Sequence, residues 1–218
     1  MKTITSTSIG DVISNKDGLY NGDLKHYFAV VFEHARNLNN AYHNFRHMFH
    51  VVFLCHQAIA YYGDQITKFQ ARALLIAAMF HDFDHPGRTG NDDLNIIIAL
   101  RGLRKHLLPE DEEMWVVIES LIQATEFPHR LPSHELSLLA QILRDADMSQ
   151  ALSVAWIQQI IFGLAVEMNM TPRKVLEMQS AFLGSLKFST AWANSVFPRQ
   201  VIDAKIQEAQ GLLECLPA

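Results

Sequence analysis

Three short segments of this chain gather the residue types that hold divalent cations and move protons. The first, Tyr42-His43-Asn44-Phe45-Arg46-His47, spaces two histidines four apart, so that on a helix the imidazoles share a face one turn apart. An HxxxH pair alone also occurs as two surface or core histidines. The second segment, Phe80-His81-Asp82-Phe83-Asp84-His85-Pro86-Gly87, follows an apolar run from Ala73. Burying so many ionisable groups behind a core helix is costly unless something compensates them, and a divalent cation does so. Neutral imidazole and carboxylate are ligands that zinc, manganese and iron accept. The third segment, Leu143-Arg144-Asp145-Ala146-Asp147-Met148-Ser149, adds one more carboxylate. Asp145 and Asp147 point in nearly opposite directions on a helix, so one of them at most faces a shared site. Spacing leaves open which one.

The elements that must position these groups read as helices. Met114, Val117, Ile118, Leu121 and Ile122 form one apolar stripe, and Ile202, Ile206, Ala209, Leu213 and Leu216 form another. No period-two alternation stands out. Pro109, Pro172 and Pro198 each precede a periodic segment, as at a first helical turn, with Thr171 as N-cap. Pro86 and Gly87 stop the helix that ends near Phe80–Asp82, and Pro128 and Pro132 bracket a loop. The expectation is an all-α fold of roughly eight to ten helices. It forms a single compact domain over 1–218, with 1–20 as a loosely ordered N-terminal extension.

The chain has 218 residues, 49% hydrophobic and 19% charged, enough for a substantial core. A net charge of −5 without a basic run argues against nucleic acid as a partner. Two cysteines, Cys55 and Cys215, make no disulfide framework and read as small buried hydrophobes. The first residues carry no apolar leader. Residues 148–166 are uncharged over a length that could cross a bilayer, but include Ser149, Gln150, Ser153, Gln158 and Gln159. The apolar positions Val154, Ile157, Ile161, Leu164 and Met168 keep one-face spacing, so a buried amphipathic helix is expected. The protein is thus expected to be soluble and cytoplasmic, with no membrane partner. The sequence leaves its oligomeric state open.

The order HxxxH, then HD, then a later Asp resembles the HD superfamily of metal-dependent phosphohydrolases. In detail the chain is similar to the catalytic domain of class I cyclic nucleotide phosphodiesterases. The matching stretches are Tyr42–His47, His81–Gly87, Ala124-Thr125-Glu126, Ala146–Ser149 and Gln179-Ser180-Ala181-Phe182. The resemblance implies that His47, His81, Asp82 and Asp147 hold a first metal, with Asp147 at the family's Ala-Asp-x-Ser position. It implies two divalent cations: zinc, iron or manganese in the first site, magnesium or manganese in a second, mostly aqueous site bridged by Asp82. His43 is then the general acid, His85 supports the bridging water, and Gln179 and Phe182, with Tyr42, bind the nucleotide.

The implied reaction is hydrolysis of a 3′,5′-cyclic nucleotide to its 5′-monophosphate through a metal-bridging hydroxide, a small-molecule nucleotide being the ligand. A nucleotidase or nucleotide pyrophosphohydrolase of the HD group is the alternative, and a non-catalytic nucleotide-binding module a further one. Three departures stand out. The stretch between Gly87 and Ala124 is short, Asn91 sits one residue later than the family's Asn, and Gln179 lacks a following glycine.

Overall fold

The computed structural model describes residues 7–88, 90 and 92–216. Among these residues there is no strand, and the all-α expectation holds. The helices are α1 (Ile9–Ile13), α2 (Lys25–His34), α3 (Phe45–Tyr62), α4 (Lys68–Phe80), α5 (Asp92–His106), α6 (Trp115–Gln123), α7 (Leu138–Met148), α8 (Ala165–Glu167), α9 (Pro172–Ser185), α10 (Ala191–Val196) and α11 (Arg199–Glu214). A π-helix over Ile157–Leu164 runs directly into α8. The described residues hold eleven α-helical segments, slightly more than expected. The surplus comes from short pieces such as α8, which have too few turns to show a period.

The centre of the molecule is α4. Thr67 and Gln70 close a capping box at its start, and every residue from Ala71 to Phe80 is buried. A helix that is apolar all round must be enclosed on all sides, and α4 is: α2, α3, α5, α6 and α7 pack against it. The one charge in that stretch, Arg72, is compensated. Its Nε and Nη2 donate to the two oxygens of Asp111 at 2.7 Å each, and Nη1 donates to the carbonyls of Asn21 and Asp23. Tyr27 adds a hydrogen bond from its hydroxyl to Asp111 Oδ2 at 2.7 Å. This buried knot joins α2, α4 and the turn that starts at Pro109. Such a pair contributes little net stability, but breaking it strands a buried charge.

Three expectations need correction. The chain before residue 20 is not loose from residue 7 onward: Ser8 caps α1, Val12 and Tyr20 are buried, and Tyr20 donates from its hydroxyl to the Val12 carbonyl. Residues 1–6 lie outside the described residues, as does Asn91. Cys55 is buried as expected, but Cys215 is exposed. The stretch 148–166 is not one amphipathic helix either. A 3-10 turn over Ser149–Leu152 precedes a break, the axis turns by 92°, and the chain resumes as the π-helix. Val154 is fully exposed, and wider π winding brings Gln159, Ile160, Ile161 and Gly163 inward. No single helix among the described residues is long and apolar enough to cross a membrane.

Thr171 and Pro172 start α9 as predicted, the Thr171 hydroxyl accepting from Lys174 N. Trp156 and Trp192 are buried packing residues.

Candidate active site

The three chemical segments converge. His47 lies in the first turn of α3, and His81 and Asp82 follow the last residue of α4. Asp147 lies near the end of α7. His47 Nε2 and His81 Nε2 face each other at 3.3 Å. Asp82 Oδ2 lies 3.2 Å from the first and 3.3 Å from the second, and Asp147 Oδ1 lies 3.1 and 3.8 Å from them. Asp145, the other candidate, points away. Its carboxylate accepts from the backbone N–H groups of Ser189 and Thr190.

These four side chains fit a divalent cation on their own chemistry. His81 Nδ1 donates to the Ala78 carbonyl at 2.9 Å, which fixes the ring orientation and leaves Nε2 bare in the neutral form. Asp82 Oδ2 is buried and makes no hydrogen bond of proper geometry despite its two close imidazoles. His47, His81 and Asp82 each offer a ligand atom within 4.8 Å of the others. The electrostatics point the same way. Burial opposes charge on His47, but hydrogen bonds to Asp147 and Asp82 outweigh it and lift the ring to about 10. Burial likewise opposes the Asp82 carboxylate, yet His81 and His43 hold it well below the usual range. Two half-buried carboxylates thus draw positive charge into this point, as protons or as a cation.

His43 is not on the helix with His47. Asn44 caps α3, its side chain accepting from His47 N, so His43 sits one residue before the cap. The two rings are 5.9 Å apart and nearly perpendicular. His43 turns instead to Glu167, which the sequence reading missed. Glu167 Oε1 accepts from the backbone N–H groups of Tyr42 and His43 at 2.7 and 3.0 Å. Its Oε2 lies 2.5 Å from His43 Nδ1. Burial raises the Glu167 carboxyl, but the His43 pairing and these N–H groups bring it below the usual value. The approach requires Gly163: a Cβ there would stand 2.6 Å from the Ala41 carbonyl oxygen.

His85 stacks on His43 with ring centroids 3.7 Å apart. Gly87 N–H donates to its Nδ1 at 3.1 Å, and Asn95 Nδ2 lies 2.8 Å from its Nε2. Burial and then the neighbouring His43 push the His85 ring down to about 4. Asn37 was also missed. Its buried amide donates to the carbonyls of His43 and Asp82, both at 2.9 Å, and accepts from Asp84 N–H at 3.0 Å. One asparagine therefore ties the first two segments together. The Asp84 carboxylate goes to Arg36, not to the centre.

A cavity of about 600 Å³ opens beside this cluster. Tyr42, His43, His81, Asp82, His85 and Asp147 line it, as do Gln179 and Phe182 from α9. Gln179 is 3% exposed and its amide nitrogen has no partner.

Residues 42–103 match the 3′5′-cyclic nucleotide phosphodiesterase family. That span includes His43, His47, His81, Asp82 and His85, and excludes Asp147, Gln179 and Phe182. No protein of curated function matches the chain. In fold, it is similar to the phosphodiesterase domain of Salpingoeca rosetta rhodopsin phosphodiesterase, with a TM-score of 0.63 and 17% identity. The likeness covers 88% of this chain and 80% of that one. The chain thus has an all-α fold similar to that of a phosphodiesterase domain, and residues 42–103, which carry five of the site residues, resemble the class I cyclic nucleotide phosphodiesterases.

Proposed function

We propose that this phosphodiesterase-like domain hydrolyses 3′,5′-cyclic nucleotides to 5′-monophosphates. The observation that carries the reading is one cavity that joins a four-ligand His/Asp cluster, a His–Glu pair and a glutamine beside an aromatic ring. His47, His81, Asp82 and Asp147 would hold a first cation, of zinc, iron or manganese, and Asp82 would be shared with a second, magnesium or manganese. Divalent cations bound here neutralise the phosphodiester and acidify water for attack on phosphorus.

The chain's own groups then have separate tasks. Glu167 occupies His43 Nδ1, so Nε2 is the ring nitrogen left to protonate the departing ribose oxygen. His85 has a partner at each ring nitrogen and stacks on the His43 ring, so holding that ring is a task it can perform beside the support of the bridging water that the resemblance implies. Gln179 offers an unpaired amide to a base edge, and Phe182 offers a face to its ring.

A second reading, hydrolysis of linear nucleotides, is favoured by Arg88. It lines the cavity, forms no ion pair among the described residues and would suit additional phosphates.

The test is hydrolysis by the purified chain, supplied with manganese and magnesium, across cyclic AMP, cyclic GMP and nucleoside mono-, di- and triphosphates. A 5′-monophosphate from a cyclic substrate is the expected result. Turnover confined to linear nucleotides would replace it with the second reading.

A further inference from the structure

A smaller hollow of about 230 Å³ adjoins the cavity and shares Phe127, Met148 and Phe182 with it. Arg144 lines this hollow and is only 6% exposed. Its Nε donates to the Ala124 carbonyl at 3.0 Å and its Nη1 to the Leu131 carbonyl at 2.8 Å. Nη2 makes no hydrogen bond, and no carboxylate forms an ion pair with the group among the described residues. Asp145 is the one acid in the lining, and its oxygens are spent on the N–H groups of Ser189 and Thr190. Lys187 also lines the hollow, and its ammonium makes no hydrogen bond or ion pair among the described residues. Ser133, Ser185 and Ser189 also line the hollow, the Ser185 hydroxyl donating to the Phe182 carbonyl, and His129 donates from Nδ1 to the Glu126 carbonyl.

A buried guanidinium is costly when its hydrogen bonds go to carbonyls alone, and the nearby Asp145 charge only partly offsets the burial of Arg144. The two carbonyl bonds fasten the loop between Ala124 and Leu131, which explains why an arginine is there. They leave Nη2, part of a planar fork suited to tetrahedral oxoanions, without a partner in the wall of the hollow. We propose that this hollow is an oxoanion site, taking phosphate or a phosphomonoester group between Arg144 and Lys187. Because Phe182 walls both spaces, an anion held there meets a ring that also borders the main cavity. The inference is independent of the phosphodiesterase reading, since phosphate would bind whether or not a cyclic nucleotide turned over.

The experiment is calorimetric titration of inorganic phosphate into the full chain after chelation, with ionic strength held by chloride and folding checked by circular dichroism. One saturable site should survive chelation, shift the Arg144 Nε–H resonance and weaken at least tenfold in Lys187→Ala. Arg144→Gln should abolish it. If that variant does not fold, the exposed Lys187 decides the matter alone. Methyl phosphate run in parallel tells a monoester group from free phosphate. Phosphate binding that needs added cations, equal binding by Lys187→Ala, or an unmoved Arg144 resonance overturns the site and leaves the cavity as the one anion-binding place.

Discussion

Glu167 holds His43 by ring and by backbone at once, its Oε2 2.5 Å from Nδ1 and its Oε1 accepting the His43 N–H at 3.0 Å. The pairing fixes which imidazole nitrogen faces the cavity. His43→Ala should therefore slow turnover by about two to four orders of magnitude while the cation content stays unchanged. Glu167→Gln should fall between that variant and the parent, because the ring keeps its place but loses its counter-charge. Elemental analysis beside steady-state rates checks both. Loss of the cation from His43→Ala would make His43 a ligand and end its role as acid.

Asp82 sits between His47 and His81 and is proposed to serve both cations. Asp82→Ala should lose bound metal and activity together. A fully metallated, active variant would contradict the assignment.

Gly163 is where the π-helix comes closest to the segment that carries His43. A methyl group placed 2.6 Å from a backbone oxygen cannot be absorbed by a side-chain rotation. Gly163→Ala should destabilise the fold by about 1–3 kcal/mol. It should also lower kcat through His43 while leaving the His47–His81 metal affinity near its parent value. Metal affinity falling in step with kcat would show a general collapse instead.

The Arg72–Asp111 knot sets an acid limit on stability. Burial raises the Asp111 carboxyl, but hydrogen bonds from Arg72 and Tyr27 more than offset it and hold the group below its usual value. A depressed carboxylate contributes stability that is fully present above its unfolded value, about 3.9. It is lost as pH falls through the folded value. Asp111→Ala should cost about 3–5 kcal/mol at neutral pH, since it leaves Arg72 buried and unpaired. Urea unfolding at pH 7 and below pH 4 should show the gap to the parent narrowing in acid. A gap that stays constant would mean that packing, not charge, carries the cost.

The convergence of the histidine and aspartate segments and the all-helical class were legible in the sequence because both rest largely on local signals. Apolar runs of helical period and adjacent His-Asp pairs survive without knowledge of the fold. The helical reading of His43 and His47 was wrong in detail. Asn44 is a strong N-cap, and a cap residue inside an HxxxH motif puts the two histidines on different kinds of backbone. Asp145 and Asp147 could not be separated by spacing alone, because the choice depends on where the chain at Ser189 lands. Glu167 was invisible for a related reason. It is a single acid more than a hundred residues from its partner, and its neighbours read as an ordinary apolar helix. Asn37 had a weak signal, lying in an asparagine-rich run just before the histidine segment.

The π-helix makes the His43–Glu167 pair a matter of phase. Residues 157–164 wind with one residue more per hydrogen-bonded turn than an α-helix and deliver Glu167 just beyond their end. Were the segment to take α winding at its present length, each residue would carry about 100° of rotation in place of the smaller step of the wider π turn. Glu167 would then swing away from His43 although no side chain at the site had changed. This stretch should therefore tolerate exchange of its outward residues far better than substitutions that convert its π winding to α.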